Sequence, residues 1–214
     1  MPPQPKFTSE EIVEAAIGIV RESGIEALTA RELGSRLGTS ARPIFTAFKG
    51  MDELKAEVKK EVFRRFEASV ENFKNYTPAF KKMGMMMISY AINEPMLYRL
   101  LFMQESEKNS DFKKALAQNG PLIDECLDVI QHDYGISEQH ARIMMDQLWI
   151  YSFGIGSLCA MKVCTFTEDE IATMLGRSFM GKMLLIKSDK MDICDMKPYD
   201  TSSVARRDTQ MTAF

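Results

Sequence analysis

Histidine is nearly missing from this chain, and with it the usual apparatus of acid–base catalysis. Only His132 and His140 occur among 214 residues. Neither has a spaced acid and nucleophile around it, so a hydrolytic triad has no seat. A glycine-rich phosphate loop is absent, and so is any cluster of metal ligands; no enzyme, cofactor or metal is expected. The four cysteines, at 126, 159, 164 and 194, form no CxxC or Cys/His pattern and read as free thiols in a reducing compartment. Cys159 and Cys164 are five apart, which points them to different helix faces as packing residues, with a redox-sensing role for Cys159 as the alternative. There is no long hydrophobic run. The most apolar window, Leu148 to Met161, is broken by two glycines and falls short of the roughly 20 residues a membrane span needs. The opening MPPQPKFTSEE lacks the apolar core of a signal peptide; the expected location is the cytoplasm. Basic charge is not in excess either, with 27 Lys and Arg against 30 Asp and Glu and a pI near 5.6. This excludes a generally basic protein but not a local basic face. No internal repeat and no long linker is present.

What the chain does have is helix punctuation. Phe7, Thr8, Glu11 and Ile12 make a capping box with a hydrophobic staple, so a helix begins at Thr8 and ends at Gly24. Thr29 caps a second helix, Glu32 closes its box, and Gly38 stops it where a left-handed residue is cheap. Leu33 and Leu37 face one core. Thr39 or Ser40 then caps a third helix, with Pro43 in its first turn and Ile44 and Phe48 pointing inward. Two helices this short hold one outer face rigidly against something. Duplex DNA fits, because a helix enters the major groove and its first residues approach base edges or phosphates. Arg31, Arg36, Arg42 and Lys49 supply positive charge offset only by Glu32. The same residues also fit a solvated helical hairpin.

From Asp52, a predicted cap, Leu54, Val58, Val62, Phe66 and Val70 recur every four residues and predict a long one-faced helix, a connector whose near end approaches the phosphate backbone. Thr77-Pro78 starts another helix with a largely buried run, and Glu94-Pro95 marks a break before the next, from Met96 to Glu105. Asp111 to Gln118 reads as a short helix, and Pro121 to His132 as a further one stopped by Gly135. Ser137 opens the longest, running to about Lys162. Its apolar residues wrap almost all the way round, so it must be covered on every side. Gly154, Gly156, Ser157 and Ala160 allow a second chain to approach. Phe166, Thr167, Glu170 and Ile171 start the last helix, whose stripe is Ile171, Met174, Leu175, Phe179, Met183 and Leu184. Two such helices from each of two chains predict a four-helix bundle and a homodimer; a monomer enclosing both is the alternative.

The expected fold is all-α: a helix-turn-helix DNA-binding domain over residues 1–50, a helical regulatory and dimerisation domain over 51–187, and a loose tail over 188–214. Residues 8 to 54 resemble the TetR family of transcriptional regulators. The matching positions are Ala15, Ala16, Gly24, Leu28, Thr29, Leu33, Gly34, Gly38, Thr39, Ser40, Ile44, Phe45, Phe48 and Leu54. The resemblance implies a chain of nine or so helices, a homodimer on a palindromic operator, and a repressor released by a small ligand. It implies that Thr39, Ser40, Ala41, Arg42, Pro43, Phe45 and Lys49 face DNA, with Thr29 and Arg31 near phosphates. The chain departs from the family pattern at Arg42, where a glycine is usual, and at Pro43, where a small polar residue is. Phe45 replaces a phosphate-touching tyrosine, Ala47 a frequent histidine, and Met51 a frequent lysine. Arg42 can compensate, on a guanine or a phosphate.

The chain has 17 methionines, whose thioether side chains adapt to irregular gaps and varied ligands. An apolar pocket for a small, unidentified apolar ligand is expected from Phe80, Met83, Met87, Phe102, Met103, Met145, Trp149 and Phe153, with Tyr90 or Gln147 as polar anchor. For each of these, a packed core or a dimer seam is the reading to set first, with the pocket second. Ligand binding would tilt the connector helix and change the spacing of the two heads. The other reading is a dimeric small-molecule-binding protein that has lost specific DNA binding.

Overall fold

The computed structural model describes residues 7–104 and 120–188. The expected helix at 111–118, the end of the one predicted to reach Glu105, and the tail beyond residue 188 lie outside these. Nine α-helices and no strand occur among the described residues: α1 (Ser9–Ser23), α2 (Ala30–Arg36), α3 (Arg42–Ala47), α4 (Met51–Val70), α5 (Ala79–Asn93), α6 (Pro95–Phe102), α7 (Pro121–Tyr134), α8 (Glu138–Ala160) and α9 (Glu168–Lys187). Short 3-10 turns at Ile25–Ala27 and Glu71–Asn75 join α1 to α2 and α4 to α5. No helix among the described residues is long and apolar enough to cross a membrane.

The caps explain most of the boundaries. Thr8 and Thr167 form reciprocal boxes with Glu11 and Glu170, and the Ser137 hydroxyl accepts from the His140 N–H. At α2 only half the expected box forms. The Thr29 hydroxyl accepts from the Glu32 N–H, but the Thr29 N–H is already taken by the Ala27 carbonyl of the preceding 3-10 turn. The cap predicted for α3 fails: neither Thr39 nor Ser40 caps it. Ala41 is the boundary residue and makes no side-chain cap, with Pro43 in the first turn as expected. Asp52 likewise sits inside α4, which starts at Met51 behind Gly50. The Glu53 carboxylate instead accepts from the Lys49 N–H.

The head is built on a core of Ile12, Ile17, Val20, Leu28, Leu33, Ile44 and Phe48. Leu54, Val58 and Val62 of α4 complete it, and so do Leu97 and Leu100 of α6. The head thus closes over a helix from the middle of the chain. Ion pairs reinforce that seam. Arg21 of α1 reaches Glu94 at 2.9 Å, and Arg65 of α4 bridges Glu14 of α1 and Glu61. The two guanidiniums of Arg64 and Arg65 hold the Glu61 carboxyl down to about 2.

The body packs α5 against α8, flanked by α7 and α9, around Phe66, Met83, Met87, Tyr98, Ile130, Met144 and Met145. The Tyr98 hydroxyl rests on Gly156, where an added Cβ would lie only 2.6 Å from it. That contact corrects one expectation. Gly156 and Ala160 are buried within the chain itself, and the Ser157 hydroxyl is buried too. Of the four small residues expected to admit a second chain, only Gly154 faces open space. Leu184, expected on the inner stripe of α9, is 63% exposed.

Candidate nucleic-acid interface and body clefts

The turn between α2 and α3 is fixed by two glycines. Gly38 has φ 63°, a conformation that penalises any side chain. Gly34 is buried, and its backbone carbonyl accepts from the Thr39 N–H at 2.9 Å. A Cβ on Gly34 would meet the Thr39 carbonyl oxygen at 3.1 Å and the Ala41 nitrogen at 3.2 Å. The missing side chain lets the turn fold back on α2 and sets the angle at which α3 leaves. The spacing of the sequence marked Gly38 as a stop but gave Gly34 no role.

Anchored by Ile44 and Phe48, α3 turns Arg42 and Phe45 outward, with Thr46 and Lys49 beside them. Phe45 is 50% exposed. The Thr46 hydroxyl, a residue the sequence reading passed over, donates to the Arg42 carbonyl at 3.2 Å. Ser40, Thr29 and Arg31 are exposed, while Thr39, Ala41 and Pro43 are half-buried in the turn. The side-chain cations of Arg31, Arg42 and Lys49 have no ion-pair partner among the described residues, although the Lys49 backbone N–H donates to Glu53. Arg36 does: its guanidinium grips Glu22 of α1 with both terminal nitrogens, and the pairing pulls the carboxyl below its ordinary range. The expected set of four basic charges offset only by Glu32 is therefore reduced. Arg36 fastens α2 to α1 instead.

The expected pocket residues occupy two kinds of place. Met83, Met87, Met145 and Trp149 are buried in the body core, as is Phe80. Phe102 packs between three rings, with centroids 5.1 Å from Phe66, 5.0 Å from Tyr98 and 6.4 Å from Trp149. Phe153 stacks on Tyr98, Met103 borders the same core, and Gln147 is exposed. Tyr90 differs from all of these. Its hydroxyl is buried with no hydrogen-bond partner among the described residues, and burial pushes it up to about 12.

An open cleft of about 360 Å³ runs between α5 and the start of α9, and Tyr90 is in its wall. A second, much smaller crevice lies over Gly84, between Phe80 and Leu175. No group of three or more potential metal ligands exists among the described residues. His132 is exposed beside Asp133, away from both clefts. Cys164 lies beyond the end of α8, so it does not share a helix with Cys159 as expected.

No protein-family model matches the chain, and no curated protein does. Solved structures do. A TetR-family protein from Vibrio parahaemolyticus superposes with a TM-score of 0.55 at 15% identity, covering 81% of this chain and 97% of that one. A transcriptional regulator from Rhodococcus sp. Rha1 gives 0.59 at 15% identity, covering 83% and 97%. At that identity the likeness is one of architecture, and the chain has the all-helical fold of a TetR-family transcriptional regulator.

Proposed function

We propose that the chain is a ligand-responsive transcriptional regulator, a repressor that binds a palindromic operator as a homodimer in the cytoplasm. The observation that carries this reading is the outer face of α3. Its inner face is locked into the head core, while the Arg42 guanidinium and, just past the helix, the Lys49 ammonium stand exposed with no ion-pair partner among the described residues. Unpaired cations on and just beyond a rigid short helix suit a groove lined by phosphates and base edges. Ile150, Gly154 and Leu158 recur along one side of α8, and Met180, Gly181 and Leu184 along one side of α9. These exposed apolar and small residues support a two-fold bundle with a second copy. Two heads held roughly 34–36 Å apart would then meet successive major-groove turns. Because α6 lies in both the head core and the body wall, a small molecule that shifts the body would change that spacing.

The test is selection of duplexes from a random pool, followed by titration of the selected operator against Arg42→Ala. The expected loss is about 1–3 kcal/mol, with relaxed specificity at one base pair. Unchanged affinity would remove Arg42 from the interface. A second reading is favoured by Phe45, which puts an exposed phenyl ring where the family pattern has a hydroxyl. On that reading the chain is a dimeric small-molecule-binding protein without specific DNA affinity. It predicts that selection yields no enriched sequence and that DNA flanking the chain's own gene gives no footprint.

A further inference from the structure

The cleft between α5 and α9 has a wall of mixed character. Met85, Met86, Phe166 and Ile171 make it apolar. Lys82, from the first turns of α5, and Glu168, the first residue of α9, bring one charge of each sign to the same wall. The two are not paired with each other, and neither has any other ion-pair partner among the described residues. The Lys82 ammonium instead lies 4.4 Å above the Tyr76 ring. Both charges are therefore available to a ligand group of opposite sign, and each such contact gains as the ligand excludes water from the cleft. At about 360 Å³ the cleft falls within the range of small-molecule sites, roughly 300–1,000 Å³.

We propose that this cleft is a binding site for a small zwitterion with an apolar body, an α-amino acid with a large side chain being the simplest form. Lys82 takes the carboxylate, Glu168 takes the ammonium, and the methionine, phenylalanine and isoleucine side chains cover the apolar part. A purely apolar ligand would leave both charges without a counter-charge, and a dianion would be repelled by Glu168. The assignment deepens the regulator reading, because Tyr90 lines the cleft and its ring packs edge-on to Phe66 of α4 at 5.0 Å. Occupancy is thereby felt in the helix that continues into the head.

The experiment is calorimetric titration of the full chain, without DNA, with L-tryptophan, L-phenylalanine and L-leucine, and with two truncated probes, tryptamine and indole-3-propionate. At least one amino acid is expected to bind. If it is tryptophan, it binds at least tenfold more tightly than either truncated probe; for another amino acid, its own deaminated and decarboxylated analogues serve. Lys82→Met should abolish the advantage over the amine, and Glu168→Gln the advantage over the carboxylate. Both positions line an open cleft, and circular dichroism checks that the variants fold. Absence of binding by all three amino acids, or equal binding by zwitterion and truncated probes, overturns the proposal. So does a preference that survives both substitutions. A chain that binds the zwitterion but selects no duplex keeps this site and loses the regulator reading. One that selects a duplex but binds no zwitterion does the reverse.

Discussion

Head and body are both helical, but they treat polar groups in opposite ways. In the head, the polar side chains at the joints between helices are committed: Thr29 caps, Arg36 grips Glu22, and Arg21 and Arg65 are tied across the seam. Arg31, Arg42 and Lys49, whose side chains have no ion-pair partner among the described residues, stand on the surface. In the body, the Tyr90 hydroxyl is buried with no hydrogen-bond partner among the described residues, and apolar side chains lie exposed along α8 and α9. Buried unpaired hydroxyls cost stability, and exposed apolar stripes invite contact. The head is therefore finished as a single piece. The body has surfaces and groups left for something else.

The sharpest way to break this contrast is to charge the exposed stripe. Ile150→Glu with Leu184→Glu touches no core contact, since both residues are more than half exposed. Light scattering should show the chain falling from dimer to monomer. Operator affinity should then drop by about two to three powers of ten, because each head binds alone. A dimer that survives both charges would show that the stripe is not the seam.

The next largest effect tests the head as a single piece. Gly34→Val puts a branched side chain against the backbone of the turn and should cost about 1–3 kcal/mol. Hydrogen exchange should quicken in α2 and α3 while α5 and α8 stay protected. Equal loss in both regions would mean that head and body do not unfold separately.

The smallest effect has the opposite sign. Tyr90→Phe removes an orphan hydroxyl and leaves the ring contact with Phe66, so thermal stability should rise by about 1 kcal/mol. A fall would mean that the hydroxyl has a partner, such as an ordered water.

Local signals carried the legible part of the fold. The boxes at Thr8 and Thr167, the cap at Ser137, the stops at Gly24 and Gly38, and the five-residue stripe of α4 depend on neighbours within a turn or two, and all are present. What spacing missed is non-local. Glu22 lies 14 residues from Arg36, so its capture of that charge could not be read from the run around Arg36. Leu97 and Leu100 enter the head core from a helix about 50 residues beyond α3. Gly156 looked like a seat for a second chain because its partner, the Tyr98 hydroxyl, comes from another helix. The cleft was missed for a similar reason: Lys82 and Glu168 are far apart in sequence and meet only once α9 lies along α5.

The clasp between Arg36 and Glu22 carries a consequence for how binding responds to ions. A protein that displaces counterions from DNA loses affinity with salt at a slope of about −0.9 for each phosphate it neutralises. With Arg36 already paired to Glu22 on the head's surface, the proposed interface of each copy would offer Arg31, Arg42 and Lys49. A two-headed complex should then show a logarithmic slope of roughly −5, where four free cations per head would give roughly −7. Opening the clasp with Glu22→Gln should steepen the curve toward the larger figure, so that a carboxylate on the first helix governs how tightly potassium competes for the duplex.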